Sequence, residues 1–148
     1  MLFLGDSITY GGHYVTYVEA HLRLHGLEAG VEAIDAGLSS ETVSGLSEEG
    51  HADGKFPRPC LRERLARVLS MVRPDLVFAC YGMNDGIYLP LDEGRFAAYR
   101  EGMAWLERVV RAFGARAIFL TPPPYDGQAK GNEAYTAVLA HYATWLLG

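Results

Sequence analysis

The chain begins with MLFLGDSIT, residues 1–9, in which a short apolar run passes directly into a glycine, an acid and a serine. Gly, Asp and Ser all favour turns, so the stretch fits a strand that ends in a simple turn. It also fits a nucleophilic serine, Ser7, held at the carboxyl end of a sheet strand. Other features of the sequence are needed to choose between these two interpretations.

Size and charge narrow the classes of function. The 148 residues predict a single domain, 1–148, and carry a formal net charge of −5. No run of Lys or Arg forms a basic patch, so we expect no nucleic-acid partner. No stretch of 18 apolar residues is present, so we expect no membrane partner either. No signal-peptide pattern is visible, which favours a cytoplasmic protein, although a mature exported chain would look the same.

Four short apolar runs predict β-strands, at residues 2–4, 31–36, 76–81 and 117–121. Each run is nearly continuous rather than alternating, as in a parallel sheet that is covered on both faces. Apolar spacings of three and four predict helices over 14–27, 61–72, 93–113 and 133–147, with Asn132 as the N-cap of the last. The polar stretch 39–59 predicts a long loop. Strands that alternate with helices indicate βαβ units, and thus an α/β/α sandwich around a parallel sheet.

Polar turns that contain glycine follow the first three strands, at residues 5–7, 37–40 and 82–85. Ligands in such folds bind beyond the carboxyl ends of the strands, so these turns are expected to meet at one edge. There Ser7 can offer a hydroxyl and a backbone N–H, Gly37 a backbone N–H, and Asn84 a side-chain N–H. These groups are the nucleophile and the oxyanion donors that acyl transfer requires.

The same residues resemble a known family. GDSIT resembles the first block of the GDSL, or SGNH, hydrolases, DAGLSSETVSG with Gly37 resembles the second, and GMND at 82–85 resembles the third. The resemblance covers essentially the whole chain. It implies a flavodoxin-like three-layer sandwich with five parallel strands, and a serine esterase without a metal or an organic cofactor. It also implies that Ser7 is the nucleophile and that Gly37 and Asn84 complete the oxyanion hole.

The chain departs from the family pattern in two places. Asp35 and Ser40 stand where many members have an Asn and a Gly, which we expect to affect loop shape more than chemistry. The Asp-x-x-His block that follows a fifth strand in the family is absent from these residues. We therefore expect that the domain is C-terminally incomplete. The strand at 117–121 would then be an exposed edge through which the chain can form a homo-oligomer.

Other polar residues near the expected site have less specific signals. Asp6 and Asp85 are predicted to shape their turns by accepting backbone N–H groups, and Asp6, His13, Asp85 and Tyr88 are candidate contacts for the substrate. None of the five histidines follows a fifth strand, so none is assigned as the general base. His51 in the long loop is a further candidate for a contact at the edge.

Several residues are interpreted as structural. His21 and His25 have the spacing of a metal-binding pair, but no third ligand is evident, and we predict no metal. Cys60 and Cys80 lack any metal or disulfide spacing and are predicted to be free thiols. A group of arginines around the third helix is predicted to form a solvated face: Arg62, Arg64, Arg67 and Arg73.

Two functions follow from these features. The first is a serine esterase that acts on small acyl esters, such as O-acetyl groups on carbohydrates, because tyrosines lie near the edge and no long apolar lid is present. The second is a non-catalytic domain that binds a carbohydrate or an anion and lacks the catalytic His. A mononucleotide-binding role is disfavoured, because the first turn has no glycine-rich phosphate loop.

Overall fold

A computed structural model of the protein contains a four-stranded parallel sheet in the order β2-β1-β3-β4. It describes the backbone of residues 1–148 and all side chains except those at positions 127 and 129. The strands are β1 Leu2–Gly5, β2 Ile34–Gly37, β3 Leu76–Cys80 and β4 Arg116–Leu120. Gly5 pairs with Gly37 on one side and with Cys80 on the other. The first three strands therefore end level with one another, and the turns that follow them share one edge.

The helices of the chain lie between and beside the strands. They are α1 Ser7–Tyr10, α2 His13–Leu24, α3 Leu65–Val72, α4 Glu93–Ala112, α5 Gly127–Lys130 and α6 Glu133–Leu147, with 3₁₀ turns at His51–Gly54 and Leu61–Glu63. The helix predicted over 61–72 is thus interrupted. The backbone leaves helical geometry at Arg64 (φ −123°, ψ −19°), and α3 starts at the next residue.

The starts of α4 and α6 differ in how they are capped. Asp92 caps α4 by accepting the N–H of Arg95, and Gly114 follows its end with a φ of +84°. Asn132 precedes α6, as predicted, but its side chain makes no capping bond. It donates instead to the carbonyl of Tyr88 at 2.9 Å, and so ties α6 to the turn after β3.

Helices cover the sheet on both faces, which makes three layers as the sequence predicts. On one face Leu4 and Val77 belong to a single buried core with residues of α3, α4 and α6. On the other face Phe3 and Phe78 stack with ring centroids 4.8 Å apart, and Tyr14 of α2 packs edge-on against Phe3. This face is where α2 lies.

β4 is an edge strand, as predicted, but it is not covered on both faces. Ile118 pairs with Phe78 on the face of α2 and is still 42% exposed. The reason is topological: α2 contacts Phe3 in β1, and β4 lies two strands away from β1. A continuous apolar run therefore predicted more cover for β4 than the helices provide.

Candidate active site

The turn after β1 places Ser7 at the start of α1. Asp6 is buried and caps α1, with its Oδ1 accepting the N–H of Ile8 at 2.9 Å. Ser7 is exposed, and its hydroxyl makes no hydrogen bond to any residue that the structure describes. Its backbone N–H lies in the first turn of the helix, where no intrahelical acceptor exists. A hydroxyl and an N–H of the same residue are therefore both available to a ligand.

Gly37 packs directly on α1. A Cβ at this position would collide with the backbone nitrogen of Tyr10, so only glycine fits. The N–H of Gly37 donates to Oδ1 of Asp35 at 2.8 Å. Asp35 therefore engages the donor that the sequence assigned to the oxyanion. Asp35 thus contacts the predicted oxyanion donor directly, a contact that the sequence does not predict.

Asn84, in the turn after β3, has a fixed amide orientation. Its Oδ1 accepts hydrogen bonds from Nη1 of Arg58 at 3.1 Å and from the hydroxyl of Tyr88 at 3.2 Å. Its Nδ2 donates to the carbonyl of Glu41 at 3.2 Å. A primary amide has two N–H groups. The second N–H of Asn84 has no partner among the described residues and can serve an oxyanion.

Arg58 is held by a second set of bonds, to Glu48. Its Nε and Nη2 donate to the two carboxylate oxygens of Glu48 at 2.7 and 2.6 Å, and its guanidinium lies 5.5 Å from the ring centroid of Tyr88. Burial alone would raise the pKa of Glu48, but its hydrogen bonds and charge interaction with Arg58 hold that pKa below the usual range. We refer to Arg58, Glu48, Asn84 and Tyr88 as the Arg58 network.

Arg64 forms a similar pair with Glu41. Its Nε and Nη2 donate to the two carboxylate oxygens of Glu41 at 2.6 and 2.7 Å, and Nη2 also donates to the carbonyl of Ala36 at 2.8 Å. The hydroxyl of Tyr81 donates to Glu41 at 2.6 Å. We call these four residues the Arg64 network. The prediction that Arg64 belongs to a solvated face is wrong, because the break before α3 turns its side chain inward.

The other three arginines of that predicted face, at positions 62, 67 and 73, are exposed, as expected. No feature of the sequence pointed to Arg58. It lies in an irregular loop, 10 residues from Glu48 and 26 residues from Asn84, so no periodicity or motif connects the three.

Asp6 is buried in the turn after β1. Burial raises the pKa of its carboxyl to about 6, with smaller upward contributions from Asp85 and Glu41 and a downward one from Arg58. The register of β1 with β2 and β3 brings the turns after these strands to one edge, and the bonds from Val43 and Ser44 to Asp85 join the start of the long loop to the turn after β3. The expectation that these turns share one edge of the sheet is therefore confirmed.

The family can now be assigned. The model of the GDSL-like lipase/acylhydrolase family matches residues 3–147. The chain belongs to this GDSL-like family. A comparison with curated proteins found no match.

Solved structures support the fold of this GDSL-like protein. The acetyl xylan esterase AlAXEase is similar with a TM-score of 0.69 at 20% identity, over 98% of this chain and 69% of that one. TesA is similar with a TM-score of 0.65 at 21% identity, over 98% and 71%. A catalytic mutant of Axe2, an acetylxylan esterase from Geobacillus stearothermophilus, is similar with a TM-score of 0.66 at 21% identity, over 98% of this chain and 69% of that one. At such identities the likeness shows the α/β fold alone.

In this GDSL-like chain Asp85 lies beneath the edge rather than on it. Its side chain is fully buried, and Oδ1 accepts the N–H groups of Val43 at 3.0 Å and Ser44 at 2.8 Å. Oδ2 has no hydrogen-bond partner among the described residues, and burial raises the pKa of the carboxyl. Asp85 thus holds the long loop against the turn after β3, whereas the sequence predicted that it would shape its own turn.

Histidines are not assembled with Ser7. His13 begins α2, is exposed, and makes no hydrogen bond to a described residue. Nδ1 of His51 lies 3.6 Å from Oε1 of Glu48, at the outer side of the Arg58 network. None of the described histidines hydrogen-bonds Ser7, so the base of a serine hydrolase is not assigned.

The histidine pair and the two cysteines of this GDSL-like protein lie apart from any metal site in the described residues. His21 of α2 and His25, which caps the end of α2, lie side by side, with ring centroids 4.1 Å apart. Among the described residues, no group of three or more His, Cys, Asp and Glu could hold a metal ion. Cys60 and Cys80 are free, as predicted. A search of the described part of the chain found no helix with the length and hydropathy of a membrane span.

Proposed function

We propose that this GDSL-like protein is a serine esterase that removes small acyl groups, such as O-acetyl groups on carbohydrates. The observation that carries the proposal is the exposed, unpartnered hydroxyl of Ser7, at the edge where Asn84 holds an amide with one free N–H. In the reaction, Oγ of Ser7 attacks the ester carbonyl and a general base takes the proton. The alcohol then leaves, and water hydrolyses the acyl-enzyme.

Negative charge develops on the carbonyl oxygen during both steps. The backbone N–H of Ser7 and Nδ2 of Asn84 are the donors in our proposal. The third donor, the N–H of Gly37, donates to Asp35 and becomes available to an oxyanion only when that bond breaks. Asp6 supports the nucleophile by capping the helix that Ser7 begins.

The substrate class rests on the aromatic side chains near Ser7. Tyr10 is 67% exposed on the same short helix as Ser7, and Tyr88 and Tyr125 have ring centroids 5.8 Å apart. Such rings offer an apolar face together with a hydroxyl, which suits a sugar. Two of the similar solved structures are acetyl xylan esterases, which supports the same substrate class.

A second candidate function uses the same pocket without chemistry. It is a non-catalytic domain that binds a carbohydrate or an anion. The observation in its favour is that none of the described histidines hydrogen-bonds Ser7. A pocket with oxyanion donors but no base would still attract an anionic or strongly polar ligand.

A fluorophosphonate probe and p-nitrophenyl acetate separate the two functions in the intact gene product. We expect the probe to label Ser7, and Ser7→Ala to lose the label and roughly 10³-fold or more in kcat. Ser70→Ala is the matched control, because Ser70 is an exposed serine on α3 outside the site. It should keep both the label and the turnover.

The opposite result would contradict the esterase proposal. If Ser7 is not labelled, and if Ser7→Ala hydrolyses the ester at the same rate as the wild type, the hydrolase proposal fails. Calorimetric binding of acetate or of a xylo-oligosaccharide, lost in Asn84→Ala, would then support the binding domain.

A further inference from the structure

We infer that Arg58 is a positioning residue that keeps the Asn84 amide turned with its nitrogen, rather than its oxygen, toward the substrate oxyanion. This inference rests on the proposed esterase function and adds to it a residue outside the family's motif blocks. Arg58 is 8% exposed and donates from Nη1 to Oδ1 of Asn84 at 3.1 Å.

An asparagine is an oxyanion donor in only one of its two orientations. The oxygen and the nitrogen of the amide have similar size and shape, so rotation by about 180° exchanges them at little steric cost. In the rotated form the amide oxygen of Asn84 would face the developing negative charge and repel it. The site therefore needs neighbours that distinguish oxygen from nitrogen.

Not every neighbour of Asn84 makes that distinction. The hydroxyl of Tyr88 can donate or accept, so it tolerates either orientation. Arg58 has donors only, and the backbone carbonyl of Glu41 is an acceptor only. In the rotated amide, N–H would meet the guanidinium and oxygen would meet the carbonyl. Arg58 is thus the side chain that selects the productive orientation.

Arg58 can do this because it is itself immobilised. Its Nε and Nη2 form two parallel bonds to the carboxylate of Glu48, at 2.7 and 2.6 Å, which fixes the plane of the guanidinium. A guanidinium has five N–H donors and no acceptor, so it can bond only the oxygen of the amide. A cationic donor on Oδ1 also polarises the amide, which strengthens the N–H that faces the substrate.

The first test measures turnover of p-nitrophenyl acetate by the intact gene product. We expect Asn84→Ala to lower kcat by about 10²–10³-fold, and Arg58→Met by about 10-fold with little change in KM. Arg58→Lys keeps an obligate donor but loses the two-pronged bond to Glu48, so it should recover part of kcat. Arg62→Met is the matched control, since Arg62 is exposed and contacts only Glu101, at 3.5 Å, and the ring of Trp105, both outside the site.

A double variant decides whether Arg58 acts through Asn84. If it does, Arg58→Met has nothing left to orient once the amide is gone, and Arg58→Met/Asn84→Ala should be no slower than Asn84→Ala alone. If the two losses multiply, Arg58 acts on the fold or on the substrate independently, and the inference is overturned. Wild-type kcat in Arg58→Met would overturn it as well.

A second test does not depend on esterase activity. In ¹⁵N-labelled protein, the side-chain amide signals of Asn84 are those that vanish in Asn84→Ala. In Arg58→Met they should shift and exchange faster with solvent, while in Arg62→Met they should stay in place. Unchanged signals in Arg58→Met would overturn the positioning role. An inactive wild type that still shows the shift would remove the esterase proposal and leave the orientation of the amide by Arg58 standing.

Discussion

Two arginine–glutamate pairs of equal geometry lie at one edge of the sheet, and they are buried in opposite ways. In the Arg64 network the glutamate is the buried partner, since the side chain of Glu41 is 0% exposed and that of Arg64 is 15% exposed. In the Arg58 network the arginine is buried instead, since the side chain of Arg58 is 6% exposed and that of Glu48 is 32% exposed. The first pair bonds a backbone carbonyl and another core side chain, whereas the second bonds the amide of Asn84. The buried Glu41 pair therefore ties parts of the core together, whereas the buried Arg58 contacts a residue of the proposed site.

The largest effect on stability is expected from Arg64→Met. This change leaves the carboxylate of Glu41 fully buried, with the Tyr81 hydroxyl as its remaining side-chain donor. Removing one partner of a buried pair costs about 3–5 kcal/mol, because the other charge stays uncompensated. Urea unfolding of Arg64→Met measures this cost directly.

Two other arginine variants provide comparisons for the unfolding measurement on Arg64→Met. Arg58→Met should lose clearly less stability than Arg64→Met, because Glu48 can turn to solvent. Arg62→Met breaks an exposed pair and should stay within about 1 kcal/mol of the wild type. If Arg64→Met and Arg58→Met were equally destabilised, the contrast between the two networks would be lost.

How far the sequence predicts this molecule depends on whether the signal is local. Ser7 and Asn84 are found at the carboxyl edge because each directly follows an apolar run, and α6 runs over 133–147 as its spacing predicts. The prediction that Arg64 is exposed was wrong, because it assumed that the helix continues through Arg64, where the backbone leaves helical geometry. Arg58 gave no signal, because its role arises only when an irregular loop folds against a turn distant in the chain.

A second prediction uses Asp6, whose charge is influenced by both networks. Its folded pKa of about 6 lies above the ordinary Asp value of 3.8, so the folded state favours the protonated acid. That stabilising contribution is complete below the unfolded pKa and is lost as the pH rises through about 6. Asp6→Asn keeps an N-cap acceptor but does not titrate. Its free energy of unfolding relative to the wild type should therefore rise by about 3 kcal/mol between pH 3.5 and pH 7.

The measurement is chemical denaturation of both proteins across that pH range. The two networks should act on it with opposite sign, since Arg58 lowers the pKa of Asp6 and Glu41 raises it. In an Arg58→Met background the folded pKa of Asp6 should be higher, so the loss of its contribution should extend to a higher pH and be larger, while its onset at the unfolded pKa stays the same. Parallel stability curves for Asp6→Asn and the wild type would show that the carboxyl is not perturbed by its surroundings.

The smallest effect is expected at the end of β2, which the Arg64 network holds through the carbonyl of Ala36. Gly37→Ala places a methyl group against the backbone of Tyr10, so α1 has to shift, at a cost of about 1–3 kcal/mol. Gly50→Ala is the matched control, because that glycine has a φ of −83° and no heavy atom within 4 Å of an added Cβ. It should unfold within about 0.5 kcal/mol of the wild type. Equal midpoints for the two variants would mean that β2 and α1 are not in close contact, and that Ser7 is placed by the turn after β1 alone.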